Sequence, residues 1–288
     1  MDDVQEVKLL DRSKLPTLLL PGAPKCGTTT LYGHLARHPD VAMSVPKEPD
    51  IFRTHYGDTE YLDACFAHDS GSRLRGDATV NYMAHPVVAE RLAADVPDAR
   101  FVVCLREPIE RAISHYKQRV RRGYEARSIA KILDVGWDAD ILRFSGYHRC
   151  LVPYFDKFPL DRFHFVLMSD LADRPEETVG RVFSFLGLEP APVDVKEWAN
   201  RGERRGNRGV QRAVATAQRL GVARSLPTSV KKVLRPKIAR LHDIPNRHGD
   251  EVVLAESERQ RMREMFLPEL EALERAVGLD LSSWKADL

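Results

Sequence analysis

The sequence predicts an α/β fold of three layers, in which a central parallel sheet is flanked by helices on both faces. Short apolar runs alternate along the chain with segments of helical periodicity, which is the pattern of parallel strands joined by crossover helices. The composition, 43% hydrophobic and 30% charged over 288 residues, is that of a globular protein with a sizeable core. Because no internal repeat or low-complexity linker divides the chain, we expect residues 1–288 to form a single domain.

Four apolar runs are predicted to be buried strands: 17–20, 41–45, 101–105 and 163–168. Helices are predicted at 28–38, 86–96, 108–122, 175–186 and 254–277. Three of these helices begin with proline, which is favoured in the first turn because its missing N–H has no partner there. Gly187 follows the fourth helix, as expected of a residue that ends a helix. The last helix is expected to be interrupted near Pro268.

The net charge is almost balanced, since 44 Lys and Arg face 42 Asp and Glu, and the resulting +2 argues against a general nucleic-acid binder. The exception is the basic segment, residues 201–240, which holds twelve Lys or Arg and one acid, Glu203. Such a segment either attracts an anionic ligand or polymer, or forms a solvated surface. Its scattered Gly and Pro predict a long loop with short helices.

Cysteine usage and the N-terminal pattern predict a soluble, cytoplasmic protein. The four cysteines have neither zinc-site nor disulfide-framework spacing: Cys26, Cys65, Cys104 and Cys150. Residues 1–14 are charged, lack the apolar core of a signal peptide and are expected to be flexible. No apolar run approaches the roughly 20 residues needed to span a bilayer, so no membrane partner is expected.

The strongest local signal is the segment 21–30, PGAPKCGTTT, between the first predicted strand and the first predicted helix. A helix start offers unpaired backbone N–H groups and a partial positive charge, which suit a phosphate or sulfate. Gly27 allows close backbone approach, Lys25 adds a full charge, and three threonines add hydroxyl donors. An ordinary strand-to-helix turn with a Thr cap explains one Gly and one Thr, but not this combination. The segment therefore predicts an anion-binding loop.

An alternative phosphate-binding motif is the P-loop of nucleoside triphosphatases, GxxxxGK[ST]. Here Lys25 precedes Gly27 instead of following it. The acidic strand end that helps to hold magnesium in those enzymes is also missing, because the strand 101–105 is followed by Arg106. A basic residue at that point repels a metal and attracts a second phosphate. The pattern disfavours a kinase and predicts no metal site.

A second candidate anion site follows the strand 101–105. Arg106 stands at the strand end, and Ser114, which shares a helix face with Glu107, is expected within its reach. Because the carboxyl ends of parallel strands share one edge of a sheet, we expect this site and the loop 21–30 at the same edge. Ligands bind there in open α/β folds. One ligand with two separated anionic groups satisfies both sites.

These segments resemble the sulfotransferase family. Residues 24–29, PKCGTT, look like its 5′-phosphosulfate loop, and residues 106–114, with the pattern RxPxxRxxS, look like its 3′-phosphate motif. The resemblance continues through 146–147, 154–159 and 279–284, and is nearer to bacterial and heparan sulfate sulfotransferases than to phenol and steroid enzymes. It implies a P-loop-like fold, 3′-phosphoadenosine 5′-phosphosulfate as donor, 3′,5′-ADP as product, and no metal.

The resemblance also implies roles for individual residues. The 5′-phosphosulfate contacts fall on six consecutive positions: Lys25, Cys26, Gly27, Thr28, Thr29 and Thr30. The 3′-phosphate contacts fall on Arg106 and Ser114. A loop that covers this phosphate in the family is matched loosely by residues 204–208, which assigns nucleotide contacts to Arg205, Asn207 and Arg208. Lys25 would also stabilise the negative charge that develops on the leaving phosphate.

The general base is predicted at Glu48. Its segment, residues 47–52 with the sequence KEPDIF, resembles a heparan-group segment in which a Glu after the second strand has that role. The alternative is a solvated loop acid. Lys47 either pairs with Glu48 or lines the site. Three nearby histidines are expected to be structural or exposed: His55, His85 and His115. Among them, His85 is the fallback base.

The acceptor is predicted by class alone, as a carbohydrate or small metabolite that offers a hydroxyl or an amine. Heparan-group enzymes often carry a His where this chain has Asp50, and some carry a Lys where it has Ala78, which weakens the resemblance on the acceptor side. Two other functions remain open. One is a P-loop nucleotide kinase or other phosphotransferase, and the other is a non-catalytic module that binds 3′,5′-ADP or a sulfated glycan.

Overall fold

A computed structural model describes residues 11–193 and 252–288 of the chain. Within these ranges the chain forms two compact units. The first comprises residues 11–106, 147–193 and 272–279, and the second comprises residues 107–146, 252–271 and 280–288.

The first unit contains a five-stranded sheet in which every pair of neighbouring strands is parallel. The strands are β1 (Leu18–Leu19), β2 (Val41–Met43), β3 (Leu74–Asp77), β4 (Arg100–Leu105) and β5 (Phe163–Leu167). Their order across the sheet is β2-β3-β1-β4-β5. The predicted parallel α/β fold and all four predicted strands are therefore confirmed. The sequence did not reveal β3, because the run LRGD has charged side chains and one large apolar residue.

The helices of the described residues are α1 (Thr28–Leu35), α2 (Thr59–Cys65), α3 (Pro86–Asp95), α4 (Pro108–Arg121), α5 (Ile129–Val135), α6 (Asp140–Arg143), α7 (Tyr147–Phe155), α8 (Met168–Asp173), α9 (Pro175–Leu186), α10 (Glu256–Val277) and α11 (Ser282–Asp287). The five predicted helices are present with small shifts at their ends. The expected interruption near Pro268 is wrong, since α10 continues through it. Pro268 lies on the exposed face, whereas Met262, Phe266 and Leu270 are buried at a spacing of four residues.

Aromatic packing against β4 fills the core of the first unit. The Phe101 ring is fully buried and lies 4.8 Å from the rings of Phe158 and Phe163 and 5.7 Å from that of Tyr154. Such contacts add directional aromatic interactions to the burial of large apolar surface. They fix β4 and β5 side by side, and with them the strand end that carries Arg106.

The second unit is built around Arg111 of α4, whose side chain is fully buried. Its guanidinium donates to the Ser145 hydroxyl at 2.7 Å and to the Ile141 carbonyl, and Ser145 in turn donates to the Pro108 carbonyl at 2.8 Å. A charged donor that serves several buried acceptors is a strong local brace. Arg111, the second arginine of the RxPxxRxxS pattern, therefore stabilises this unit internally.

Within the described ranges, no helix combines the length and hydrophobicity that a bilayer-spanning segment requires.

Candidate active site

The carboxyl ends of the parallel strands define one edge of the sheet. Strand β1 lies between β3 and β4, and the chain leaves β1 toward β2 on one side but leaves β4 toward β5 on the other. Where the connections after two adjacent strands run in opposite directions, a crevice forms at the carboxyl ends of the strands, and open α/β folds bind ligands there. The loop after β1 and Arg106 after β4 both lie at this edge of the sheet. That they bind anions stays a prediction.

The loop after β1 is fixed to strand β4 and to the connection that follows β3. Gly22 accepts from the Cys104 amide at 2.9 Å, the Ala23 amide donates to the Cys104 carbonyl at 2.8 Å, and the Met83 amide donates to the Pro21 carbonyl at 3.0 Å. Gly22 has φ of +156°, and a Cβ there would overlap the Met83 sulfur. The loop is therefore held tightly, with no room for a side chain at this position.

The start of α1 has the features of an anion site. Gly27 precedes the helix in the left-handed conformation, with φ of +83°, and offers no side chain to cap the first amides. The Thr30 amide donates to the Gly27 carbonyl at 3.0 Å, whereas the amides before it are those that a helix leaves without an intrahelical partner and that suit a phosphate or sulfate group. Lys25 is half-buried, Cys26 and Thr28 are buried, and Thr29 is exposed. The donor set fits the 5′-phosphosulfate that the motif predicts.

Three non-glycine residues in the described ranges have a positive φ: Lys25 at 73°, Glu48 at 62° and Asp50 at 61°. This left-handed conformation is uncommon for residues with a Cβ, and such strain is concentrated at functional sites. Two of the three are the candidate catalytic residues. They lie in the loops after β1 and β2, whose strand ends share the carboxyl edge of the sheet.

Glu48 is an exposed loop acid with a cationic partner. Its Oε1 lies 2.7 Å from the Lys47 ammonium, and its side chain is 44% exposed whereas that of Lys47 is 18% exposed. Burial raises the pKa of the Cys104 thiol, the nearby Cys26 adds to this rise, and the charge of Lys47 opposes it. The charge of Lys47 thus lowers the pKa of a thiol at the end of β4. Of the two alternatives for Lys47, the structure contains the ion pair with Glu48.

Asp50 has a local structural role. Its carboxylate accepts from the Arg53 guanidinium at 3.0 and 2.5 Å, and from the Thr54 hydroxyl at 2.5 Å. Its carbonyl accepts the amides of the following turn. The carboxylate is therefore engaged in holding the turn after Glu48.

The three histidines near the site in sequence occupy different surroundings. His55 stacks on Tyr61 at 3.8 Å, and His85 is the residue that precedes α3. His115 is buried in the second unit.

Arg106 is fixed through its backbone by Tyr147, for which the sequence motifs predicted no role. The fully buried Tyr147 hydroxyl donates to the Arg106 carbonyl at 2.6 Å and accepts from the Arg106 amide at 3.3 Å. The Cys26 sulfur lies 3.9 Å from the same hydroxyl. One tyrosine thus connects the anion loop to the end of β4. Its sequence signal is the Gly146-Tyr147 pair that accompanies the family motifs.

The remaining predicted contacts lie elsewhere in the chain. Ser114 is half-buried on α4 and belongs to the second unit. Arg205, Asn207 and Arg208 lie outside the described residues, as does the whole basic segment. In the ranges 11–193 and 252–288, no group of three or more His, Cys, Asp or Glu is arranged to share a metal ion.

A buried carboxylate, that of Asp77, lies at the end of β3 beside the candidate site. Asp77, the last residue of β3, is fully buried. Burial raises the pKa of Asp77 to about 6, hydrogen bonds from Thr79 and Tyr82 limit the rise, and the charge of Asp50 adds to it. The folded protein therefore holds this proton more tightly than the unfolded chain, whose ordinary value is 3.8.

We expect this carboxyl group to make the protein less stable as the pH rises. Its contribution is fully present below its unfolded pKa and is lost as the pH passes the folded value near 6. The total loss is about 3 kcal/mol from the size of the shift. Urea unfolding of the wild type and Asp77→Asn at several pH values from 4 to 7 measures it, because the variant lacks this titration. A stability difference between the two proteins that does not change with pH would contradict the assignment.

Comparison with known proteins identifies the family. The profile described as "Sulfotransferase family" matches residues 47–192, about half of the chain. Heparan sulfate glucosamine 3-O-sulfotransferase 6 of Homo sapiens is 29% identical over 192 residues, covering 64% of this chain and 55% of that protein. Heparan sulfate glucosamine 3-O-sulfotransferase 3A1 of Mus musculus is 28% identical over 198 residues, covering 65% and 50%. The chain thus spans about half the length of these curated relatives.

A solved structure supports the fold. The crystal structure of a sulfotransferase from Alicyclobacillus acidocaldarius matches with a TM-score of 0.67 and 21% identity, covering 94% of this chain and 99% of that one. The profile covers half of the chain and includes the motif at 106–114, whereas the motif at 24–29 precedes it. This protein belongs to the sulfotransferase family, whose members use 3′-phosphoadenosine 5′-phosphosulfate as donor.

Proposed function

We propose that this protein transfers a sulfonate group from 3′-phosphoadenosine 5′-phosphosulfate to a hydroxyl or amine of a carbohydrate or small metabolite. The observation that carries the proposal is the left-handed backbone of Lys25 and Glu48, in loops that follow two strands of one parallel sheet. Strain of this kind persists only where the surroundings enforce it, and it is concentrated at functional sites. The names of the curated relatives make a carbohydrate hydroxyl the first acceptor class to test.

The donor supplies an activated sulfonate, and the protein supplies its binding groups. Lys25, the first amides of α1 and the threonine hydroxyls bind the 5′-phosphosulfate and neutralise charge on the leaving phosphate. Arg106 and Ser114 bind the 3′-phosphate, and the residues assigned to cover it are Arg205, Asn207 and Arg208. Because these groups provide the positive charge, the proposed reaction needs no metal.

Glu48 removes the proton from the acceptor. Its exposed carboxylate is accessible to an incoming hydroxyl, and the ion pair with Lys47 at 2.7 Å orients it. A positioned carboxylate of this kind is a common general base. A screen of carbohydrates, amines and small metabolites with sulfur-labelled donor would identify the acceptor, and EDTA in the screen tests the metal-free proposal.

The 3′-phosphate site predicts a strong preference among nucleotides. We expect 3′,5′-ADP to bind more tightly than 5′-AMP by about 1.5–3 kcal/mol, the value of a hydrogen bond to a charged group. Arg106→Ala should remove most of this preference, measured by calorimetric titration. Arg181→Ala, which alters an exposed arginine of α9, is the matched control. Equal affinity of the wild type for the two nucleotides would end the proposal of a 3′-phosphate site.

A further inference from the structure

We propose that a buried hydrogen-bond network of Asp77, Thr79 and Tyr82 positions the Glu48 loop. Two chains of hydrogen bonds, which we call relays, connect this loop to Asp77. Asp77 ends β3, and the other two residues follow in the connection to α3. All three are buried, and none was assigned a function from the sequence. The proposal rests on the proposed function, since it concerns the loop that carries the general base.

The first relay runs through Thr79. The Asp50 amide donates to the Thr79 hydroxyl at 3.0 Å, and this hydroxyl donates to Asp77 Oδ1 at 2.6 Å. The Thr79 amide also donates to Asp77 Oδ1, at 2.9 Å, which fixes the threonine backbone in place. The amide two residues after Glu48 is therefore connected to the end of β3 through one hydroxyl.

The second relay runs through Tyr82. The Phe52 amide donates to the Tyr82 hydroxyl at 2.9 Å, and this hydroxyl donates to Asp77 Oδ2 at 2.7 Å. Each carboxylate oxygen thus ends one relay, and each relay begins at an amide of the segment after Glu48. Arg91 completes the attachment from α3, because it donates to the carbonyls of Phe52 and Arg53 at 2.9 Å.

A carboxylate at position 77 makes the direction of both relays unambiguous. Above its pKa of about 6, Asp77 is ionised and only accepts hydrogen bonds, so both hydroxyls donate to Asp77 and accept from the loop amides. Buried networks that satisfy every member in this way are rigid and specify one arrangement. Glu48 and Asp50 have left-handed backbones that need such support from their surroundings. The relays therefore determine where the Glu48 carboxylate stands.

The test removes one hydroxyl at a time. Thr79→Val keeps the shape and breaks the first relay, whereas Thr79→Ser keeps the hydroxyl. Thr79→Val is expected to lower kcat about 10- to 100-fold, because small displacements of a catalytic group have effects of that order. The rate is measured with sulfur-labelled donor and the acceptor that reacts fastest in the screen. Affinity for 3′,5′-ADP should remain unchanged, and Thr79→Ser should restore kcat.

A matched tyrosine pair controls for lost stability. Tyr82→Phe breaks the second relay, and Tyr154→Phe removes another buried tyrosine hydroxyl, which donates to the Tyr82 carbonyl at 2.7 Å outside the relays. Hydrogen exchange across residues 47–56 provides a readout that needs no acceptor. Exchange should accelerate in Thr79→Val and Tyr82→Phe but not in Tyr154→Phe. Equal effects of the two tyrosine variants on exchange and kcat would overturn the proposal.

Combination with Glu48→Gln separates this proposal from the proposed function. If the relays act through Glu48, Thr79→Val should lower kcat no further in the Glu48→Gln protein. Full additivity would overturn the relay proposal and leave Glu48 as the base. If Glu48→Gln alone retains normal kcat, the base assignment fails, and with it the claim that the relays position a base. In that case faster hydrogen exchange in Thr79→Val would show only that Thr79 stabilises the structure of the Glu48 loop.

Discussion

Replacing Glu48 with Gln is expected to lower kcat by about 10²–10⁴-fold, the usual contribution of a general base. Gln keeps the shape of the side chain but cannot accept the proton of the acceptor hydroxyl. The affinity for 3′,5′-ADP should not change, because Glu48 is proposed to act on the acceptor and not on the nucleotide. Rates with labelled donor and calorimetric titration of 3′,5′-ADP measure the two quantities separately.

Glu60→Gln is the control for the Glu48 experiment, since Glu60 is an exposed glutamate in the first turn of α2. It should retain the kcat of the wild type. Near-normal kcat in Glu48→Gln on a good acceptor would mean that the base lies elsewhere. His85, which precedes α3, is then the next residue to replace.

Lys25→Ala is expected to impair both binding and catalysis. Its ammonium is proposed to contact the 5′-phosphate in the ground state and to stabilise charge on the leaving phosphate, so kcat should fall about 10²–10³-fold. Affinity for 3′,5′-ADP should weaken by about 1.5–3 kcal/mol. The loss of nucleotide affinity distinguishes this variant from Glu48→Gln, in which kcat alone should fall.

Lys131→Ala, at an exposed position of α5, is the control for the lysine experiment. Circular dichroism should show that both lysine variants are folded. A folded Lys25→Ala protein that binds 3′,5′-ADP like the wild type would contradict the assignment of Lys25 to the phosphosulfate loop.

The sequence predicted those parts of the fold that depend on local pattern. The strands β4 and β5 are apolar apart from Arg100 and His164, and α9 has proline at its start and Gly187 at its end, so their limits were close to those observed. Strand β3 was missed because it is defined by its neighbours. Its charged run pairs with β1 and β2 on either side, which no local pattern reveals.

Local pattern also allowed the positions of some candidate site residues to be predicted. Arg106 directly follows one predicted strand and Lys25 lies in the loop after another, so their place at the carboxyl edge follows from parallel order. The role of Asp77 could not be predicted, because its partners come from separate segments that β3 brings together. Tyr147 likewise depends on the contact of α7 with the end of β4. The left-handed backbone of Glu48 has no sequence signal, since Glu has no preference for that conformation.

We propose that the site accepts the 3′,5′-bisphosphorylated nucleotide of a sulfonate donor without a metal. Calorimetric titration of the wild type compares 3′,5′-ADP in the presence of EDTA with ATP in excess magnesium. We predict that 3′,5′-ADP binds at least about tenfold more tightly, a difference of about 1.4 kcal/mol. Tighter binding of magnesium–ATP, or binding of 3′,5′-ADP that requires magnesium, would contradict the claim.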